Sequence, residues 1–192
     1  MIKTNLPVVL ASGSPRRKKL LKQMNLNFKV LRVDVEESFK IGERPVHIVK
    51  RLSKYKLEKA IETTAKGIFI TADTIVVLKG KVIGKPRDKK DAEKILKTLS
   101  GNTHSVYTGF SVYNSFNGKM ITDYEKTLVT FRKLGLSEIR EYIAGGSPMD
   151  KAGAYGIQDD YGAVFIKKIT GCYYNVVGLP LTKLYQSLLR II

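Results

Sequence analysis

The sequence has one cysteine, no tryptophan and two histidines among its 192 residues. A single cysteine, Cys172, excludes a disulfide within the chain. Its position beside Tyr173 and Tyr174 favours a small buried side chain over a nucleophile. His47 and His104 have no cysteine or histidine neighbour at the spacing of a metal site, so the sequence does not indicate a zinc centre.

Long apolar runs are also missing. No run approaches the ~20 residues that a transmembrane helix needs, and residues 1–7 have no signal-peptide pattern. Together with the lone thiol, these absences predict a cytoplasmic protein with no membrane partner.

Acidic residues are scarce relative to basic ones. Lysine and arginine number 34 against 17 aspartates and glutamates, which gives a formal net charge of +17. Such a charge attracts polyanions, whether nucleic acid, anionic lipid or a polyphosphate substrate. The lysines are scattered along the chain rather than gathered in a tail, however, and a lysine-rich composition without a function explains the charge equally well.

Apolar runs and turn residues alternate in an order typical of an α/β protein. We predict a single domain over residues 1–192, with a central mixed sheet flanked by helices and a substrate cleft. Strands are expected at 7–11, 28–33, 68–72, 75–78, 81–83, 105–113, 119–131 and 163–169. A helix is expected over 16–23, with Ser14 as its N-cap and Pro15 where proline is tolerated, at the first helical position. Further helices are expected at the starts marked by Pro45, Asp88, Ser137 and Pro180.

A turn between the first strand and the first helix is the first candidate site. Ser12, Gly13 and Ser14 form this turn, and Arg16 and Arg17 follow in the helix. Backbone N–H groups at a helix N-terminus favour an anion, small residues let a phosphate approach, and guanidinium groups suit phosphate oxygens. An ordinary capped helix with a basic face explains the same residues as well, because the glycine patterns of P-loops and dinucleotide folds are absent.

Three further segments carry polar residues suited to chemistry. Asp73 closes an apolar run, which predicts a carboxylate at the carboxyl end of a strand, where it would hold Mg²⁺ or take a proton from water. A turn-forming aspartate is an equally good interpretation. Lys85 lies in a tight turn, and Glu36 and Glu37 follow Asp34 in an acidic stretch that by itself favours a solvated loop.

Five ordered groups of residues together resemble the Maf family of nucleotide pyrophosphatases. They come in the family's order and cover nearly the whole chain, which makes the match far more specific than any one motif. They are 10–17 (LASGSPRR), 72–74 (ADT) with 84–86 (GKP), 99–101 (LSG) with His104 and Thr108, 150–158 (DKAGAYGIQ), and 173–181 (YYNVVGLPL).

The resemblance implies a fold, a cofactor and a set of site residues. The fold is α/β and related to the inosine triphosphate pyrophosphatases, and the cofactor is a divalent metal, Mg²⁺ or Mn²⁺. Asp73 falls on the family's proton acceptor. Glu36 becomes the site carboxylate if the alignment shifts by one residue. The family's other polar site positions fall on Arg17, Glu37, Lys56 and Lys85.

Subfamilies of this family differ at three positions. One has arginine, threonine and glutamine and acts on dTTP and UTP, and the other has tryptophan, glutamine and glutamate and prefers 7-methyl-GTP. Arg16, Thr74 and Gln158 occupy these positions here, so the resemblance implies the first group. The amide of Gln158 carries a donor and an acceptor, which suits the imide edge of a pyrimidine.

The expected function is hydrolysis of dTTP and UTP to the monophosphate and pyrophosphate. Metal on Asp73 and Glu37 bridges the phosphates and activates a water, whose proton Asp73 takes during attack on the α-phosphorus. The departing pyrophosphate is neutralised by Arg17, Lys56 and Lys85. Hydroxyls and backbone N–H groups of residues 12–14 position the triphosphate.

Two alternatives stay open at this point. One is a pyrophosphatase for modified or non-standard purine nucleotides such as 7-methyl-GTP and ITP. The other is a nucleic-acid-binding protein without catalysis, which only the net charge supports. The expected partner is a nucleoside triphosphate substrate, with no specific nucleic acid and no membrane, and a homodimer is left open.

Overall fold

The computed structural model describes residues 2–36, 38–39, 42–63, 66–158 and 160–192. Within these ranges the strands are β1 (Val8–Ala11), β2 (Lys29–Leu31), β3 (Ile68–Leu78), β4 (Lys81–Ile83), β5 (Thr103–Asn114), β6 (Met120–Phe131) and β7 (Ile166–Thr170). The α-helices are α1 (Pro15–Lys22), α2 (Pro45–Thr63), α3 (Lys89–Leu99), α4 (Leu136–Ala144), α5 (Tyr173–Val177) and α6 (Leu181–Ile191). Short 3-10 turns cover Ser147–Asp150, Ala152–Ala154 and Asp160–Phe165. None of the helices in the described ranges is both long and apolar enough to cross a bilayer.

The strands form one mixed sheet. Its order is β2-β1-β3-β5-β6-β7, and β4 pairs with β3. Strand β1 runs parallel to β2 and β3, whereas the β3–β4 and β6–β7 pairs are antiparallel. Because helices separate many of the strands along the chain, this arrangement confirms the predicted α/β fold with a central mixed sheet.

The chain divides into two compact units, and the division falls inside the long strands β3, β5 and β6. Unit 1 comprises Met1–Asp73, Thr108–Glu125 and Gly178–Ile192. Unit 2 comprises Thr74–Tyr107 and Lys126–Val177. Asp73 is thus the last residue of the first segment of unit 1.

Each unit has buried apolar residues of its own. In unit 1 helix α2 packs on β1 and β3, and this contact buries Val9, Leu57 and Phe69. In unit 2 helices α3 and α4 cover a cluster that includes Phe131 and Phe165. In both clusters, apolar strand residues pack against the apolar face of a helix.

Three predicted helix starts are confirmed by their local contacts. Ser14 Oγ accepts a hydrogen bond from the backbone N–H of Arg17 over 3.4 Å at the start of α1. Pro45 begins α2, where its missing N–H costs nothing. Asp88 Oδ1 accepts from the backbone N–H of Asp91 over 2.7 Å at the start of α3.

The prediction that a strand ends at Asp73 was wrong. Strand β3 continues without a break to Leu78, and Asp73 lies inside it. The residues after it, from Ile75 onward, are apolar and buried, so the strand keeps both its core contacts and its ladder of hydrogen bonds. Pairing with β1 covers Ile68–Ile70 and pairing with β4 covers Val76–Leu78, so Asp73 lies between these two stretches of a strand that also pairs with β5.

Several other element boundaries differ from the predicted ones, and two of these differences have a cause visible in the structure. Helix α4 begins at Leu136 rather than after Ser137, because Glu138 Oε1 accepts from the backbone N–H of Gly135 over 2.5 Å and closes the first turn earlier. Strand β7 begins at Ile166 instead of residue 163. A 3-10 turn replaces its start, and there the carbonyl oxygen of Val164 accepts from an arginine side chain.

Candidate active site

Asp73 and Lys56 form a buried ion pair in unit 1. The Lys56 ammonium donates a hydrogen bond to Asp73 Oδ1 over 2.5 Å, and the two side chains are 11% and 5% exposed. Buried charges are costly unless they are paired, so each of these groups depends on the other. The sequence predicted both residues for the site, and the structure brings them together.

The periodicities of helix and strand place this pair. Helix α2 buries Val49 and Leu52 on the face that packs on the sheet, and Lys56 follows one turn after Leu52 on the same face. Side chains along β3 alternate between its two faces, so Thr71 and Asp73 point the same way, toward α2. A lysine on the buried face of the helix therefore meets a carboxylate within a buried strand.

The turn before α1 fixes the side chain of Arg17. Ser12 Oγ accepts from the backbone N–H of Ser14 and from the Arg17 guanidinium, both over 3.3 Å. On its other side, Arg17 Nε donates to the carbonyl oxygen of Gly178 over 2.8 Å. The guanidinium is thereby held from two directions. Because Ser12 Oγ uses its lone pairs in both contacts, its hydroxyl proton remains a donor for an anion.

Gly13 leaves the N-terminus of α1 open. A Cβ added to Gly13 would meet no atom within 4 Å, and this glycine is not among those with positive φ. Neither packing nor backbone conformation requires a glycine here, whereas close approach of an anion to the helix N–H groups would. Arg16 follows on the first turn of α1 and is half-buried.

Three predicted site residues lie in unit 2: Thr74 within β3, Lys85 after β4, and Gln158 after the 3-10 turn Ala152–Ala154. The backbone N–H of Gly153 donates to the carbonyl oxygen of Gly84 over 3.0 Å, which joins the Lys85 turn to the segment leading to Gln158. A Cβ on Gly153 would lie only 2.9 Å from Val76 Cγ2, so the same segment packs on β3 close to Thr74. Unit 2 thus brings these three chain segments together.

Sequence reasoning missed two contributors. Lys151 is only 8% exposed, and its ammonium donates to Asp150 Oδ1 over 2.9 Å in the segment that leads to Gln158. Nothing in a single lysine of a lysine-rich chain signals burial. Both Lys151 and Gly178 fall within the motifs 150–158 and 173–181, but neither was predicted as a site residue, although the Gly178 carbonyl oxygen holds Arg17.

His104 supports the structure of unit 2 instead of its chemistry. Its Nε2 and the hydroxyl of Tyr155 are 2.8 Å apart, and its ring packs edge-on against Phe131 and Tyr155. Burial lowers the pKa of His104 to about 4, so the ring is neutral at pH 7. The neutral ring packs against both aromatic side chains and holds the hydroxyl of Tyr155 in the core of unit 2.

The donor set for a metal is small. Among the described residues there is no group of three or more His, Cys, Asp or Glu side chains able to hold a metal ion. Glu37, the predicted second ligand, lies outside the described residues, and the neighbouring Glu36 is exposed. Asp73 offers one buried carboxylate. Such a set fits Mg²⁺ that arrives with a triphosphate, because Mg²⁺ is commonly held by one or two carboxylates, waters and substrate phosphates.

The fold is α/β, and it combines a turn suited to phosphate with a buried lysine–carboxylate pair. Comparison with known proteins agrees with this fold and site. The family model described as Maf-like protein matches residues 7–191, and the chain belongs to this family. It is 45% identical to the dTTP/UTP pyrophosphatase of Geotalea uraniireducens (strain Rf4) over 190 residues, which cover 99% of this chain and 97% of that protein. It is 47% identical to the dTTP/UTP pyrophosphatase of Alkaliphilus metalliredigens (strain QYMF) over 182 residues, or 94% of each chain. The resemblance drawn from the ordered motifs is confirmed.

Proposed function

We propose that this chain hydrolyses dTTP and UTP to the nucleoside monophosphate and pyrophosphate. Relatives named for that activity share 45% and 47% of its residues over nearly their full length. The observation that carries the proposal is the buried Lys56–Asp73 pair in the unit that also holds the turn before α1. Such a hydrolysis needs a carboxylate that takes a proton from water and a turn that binds phosphate.

Asp73 is the proposed proton acceptor. It takes a proton from a water whose oxygen forms a bond to the α-phosphorus, while the bond between that phosphorus and the oxygen bridging to the β-phosphate breaks. Pyrophosphate leaves with the electron pair of the broken bond. Lys56, hydrogen-bonded to Asp73 Oδ1, orients the carboxylate. It also places a positive charge close to where negative charge develops in the reaction.

The triphosphate is proposed to bind at the start of α1. The backbone N–H of Gly13 and the hydroxyl of Ser12 are the donors, and Ser14 shapes the turn through its N–H bond to Ser12 Oγ. The open space at Gly13 admits the phosphate oxygens. Arg17 contributes a planar donor whose position Gly178 and Ser12 fix in advance, so little side-chain entropy is lost on binding. Lys85, which is exposed, is proposed to neutralise the leaving pyrophosphate.

A divalent metal, Mg²⁺ or Mn²⁺, is the proposed cofactor. Asp73 is the described residue that would hold it, and Glu37 is the proposed second ligand. When bound, the metal neutralises phosphate charge and makes a bound water more acidic. The compartment we propose is the cytoplasm, which suits the single free thiol of Cys172.

Base selection is proposed to rest on Arg16, Thr74 and Gln158. A uracil or thymine edge presents acceptor, donor and acceptor in a row. The Gln158 amide pairs with two neighbouring members of that row, and Arg16 donates to a carbonyl oxygen. A wrong base leaves these groups without partners, and this penalty is the source of discrimination.

A panel of nucleotides tests the proposed function directly. We expect dTTP and UTP to have the highest kcat/KM among dTTP, UTP, CTP, ITP and 7-methyl-GTP, each assayed with Mg²⁺. Product analysis should show the monophosphate and pyrophosphate, because attack is at the α-phosphorus. Release of the diphosphate and orthophosphate would contradict that mechanism. If ITP or 7-methyl-GTP is the best substrate, the purine alternative is correct.

Replacing Gln158 with glutamate should weaken the use of both pyrimidine nucleotides. The carboxylate repels the carbonyl oxygens of the base and lacks the N–H that they need. We expect kcat/KM for dTTP and UTP to fall roughly 10- to 100-fold, as for a buried partner lost at about 1–3 kcal/mol. Gln186→Glu, the same change at an exposed position of α6, is the matched control. Equal kcat/KM values for the two variants would remove Gln158 from the base site.

A further inference from the structure

Helix α2 meets the sheet of unit 1 at three points along one face. The points are the backbone at Val49, the residue Ser53 and the Lys56 ammonium. Their spacing of four and then three residues forms a single stripe that covers about 10 Å of helix at 1.5 Å per residue. The last point is the pair with Asp73, and the other two consist of contacts that ordinary apolar packing does not provide.

At the first point, the helix backbone lies directly on the sheet. A Cβ added to Gly109 of β5 would lie 2.3 Å from the carbonyl oxygen of Val49 and 2.9 Å from the backbone nitrogen of Lys50. No side chain other than hydrogen fits between the two backbones. Gly109 therefore sets how closely α2 approaches the sheet.

At the second point, a strand hydroxyl bonds to the helix. Thr71 Oγ1 donates to the carbonyl oxygen of Ser53 over 2.7 Å, and neither residue is exposed. Thr71 precedes Asp73 by two residues on the same strand face, and Ser53 precedes Lys56 by three residues on the helix. This hydrogen bond and the ion pair are thus neighbouring links between the same two elements.

The Ser53 hydroxyl extends the contact across the sheet. Ser53 Oγ lies 3.0 Å from the carbonyl oxygen of Lys50 and 3.1 Å from Ser111 Oγ in β5, which in turn lies 2.9 Å from Thr122 Oγ1 in β6. Each hydroxyl has one proton to donate, so donation by Ser53 to Lys50 requires Ser111 to donate to Ser53. The row of hydroxyls then runs in one direction from β6 to the helix.

We propose that Thr71, Ser53 and Gly109 are positioning residues that hold Lys56 in place against Asp73. Apolar contacts allow a helix to slide or turn, because the hydrophobic effect has no direction. A buried hydrogen bond does not, because a shift leaves a hydroxyl and a carbonyl without partners. The four-carbon stem of Lys56 is flexible, so the register of the helix decides where its ammonium lies. This inference rests on the proposed function of the Lys56–Asp73 pair.

Steady-state kinetics with dTTP and Mg²⁺ test the inference through Thr71. Thr71→Val keeps the shape and removes the hydroxyl, whereas Thr71→Ser keeps the hydroxyl. We expect Thr71→Val to lower kcat about tenfold with KM within about twofold, since a shift of the helix by a fraction of an ångström moves the Lys56 ammonium away from the carboxylate that it orients. We expect Thr71→Ser to retain most of kcat. Ile68→Val, a buried change elsewhere in β3, is the control for lost stability and should leave kcat unchanged.

A double-variant cycle shows whether Thr71 acts through Lys56. In a Lys56→Met background, Thr71→Val should cause little further loss of kcat, because the group that it positions is gone. Ser53→Ala keeps the carbonyl that Thr71 binds and removes the separate link to Ser111, so it should also lower kcat. It decides the matter if Thr71→Val does not fold. The inference is overturned if a folded variant that lacks either hydroxyl keeps full kcat. It is also overturned if the effects of Thr71→Val and Lys56→Met are fully additive. In both cases the proposed function still stands. If the unmodified protein releases no pyrophosphate from dTTP, the proposed function fails and the inference fails with it.

Discussion

Replacing Asp73 with asparagine should lower kcat at least ~100-fold, the lower end of what general-base catalysis contributes. The amide is nearly the same size as the carboxylate, but it neither takes a proton at neutral pH nor holds a metal as well. Its oxygen still faces the Lys56 ammonium, so the hydrogen bond survives in weaker form. We therefore expect a folded protein with a lower melting temperature and a large kinetic defect.

The matched control for this change is Glu58→Gln. Glu58 is an exposed carboxylate on helix α2, two residues after Lys56, and has no assigned role in the reaction. Circular dichroism and thermal melting establish that the Asp73→Asn protein is folded at the assay temperature. A folded Asp73→Asn protein that keeps most of its kcat would show that another group accepts the proton.

Features that depend on neighbouring residues were predictable from the sequence. The cap at Ser14, the proline at the start of α2 and the cap at Asp88 each involve contacts within three or four residues, and all are confirmed. The turn that holds Ser12 also follows from its position between an apolar strand and a capped helix. These signals are local, so the order of residues is sufficient to identify them.

Features that depend on distant residues were not predictable in the same way. Asp73 looked like the end of a strand, because a charged residue after an apolar run usually marks one. Its burial inside β3 depends on Lys56, which lies 17 positions earlier in sequence and meets it only after α2 packs on the sheet. The approach of Gly109 to Val49 depends on the same packing. The family resemblance placed Lys56 among the site residues, but only the fold shows that Lys56 contacts Asp73.

Replacing Lys56 with methionine should damage both stability and activity. Methionine keeps the length of the side chain and its apolar stem, so the packing of α2 is preserved. The carboxylate of Asp73 then loses its buried counter-charge, and breaking such a pair from one side costs about 3 kcal/mol in the free energy of unfolding. We expect kcat for dTTP to fall at least tenfold as well, because the carboxylate loses both its orientation and a neighbouring positive charge.

A second change separates the two effects. In the double variant Lys56→Met with Asp73→Leu, no buried charge is left from the pair, and replacing both members of a buried pair by apolar groups is often neutral or stabilising. Urea unfolding should therefore find the double variant more stable than Lys56→Met alone, while the nucleotide assay finds no activity. That combination would show that the pair is retained for its chemistry at a cost in stability. A double variant that is less stable than Lys56→Met alone would instead mean that the pair serves mainly to hold α2 on the sheet.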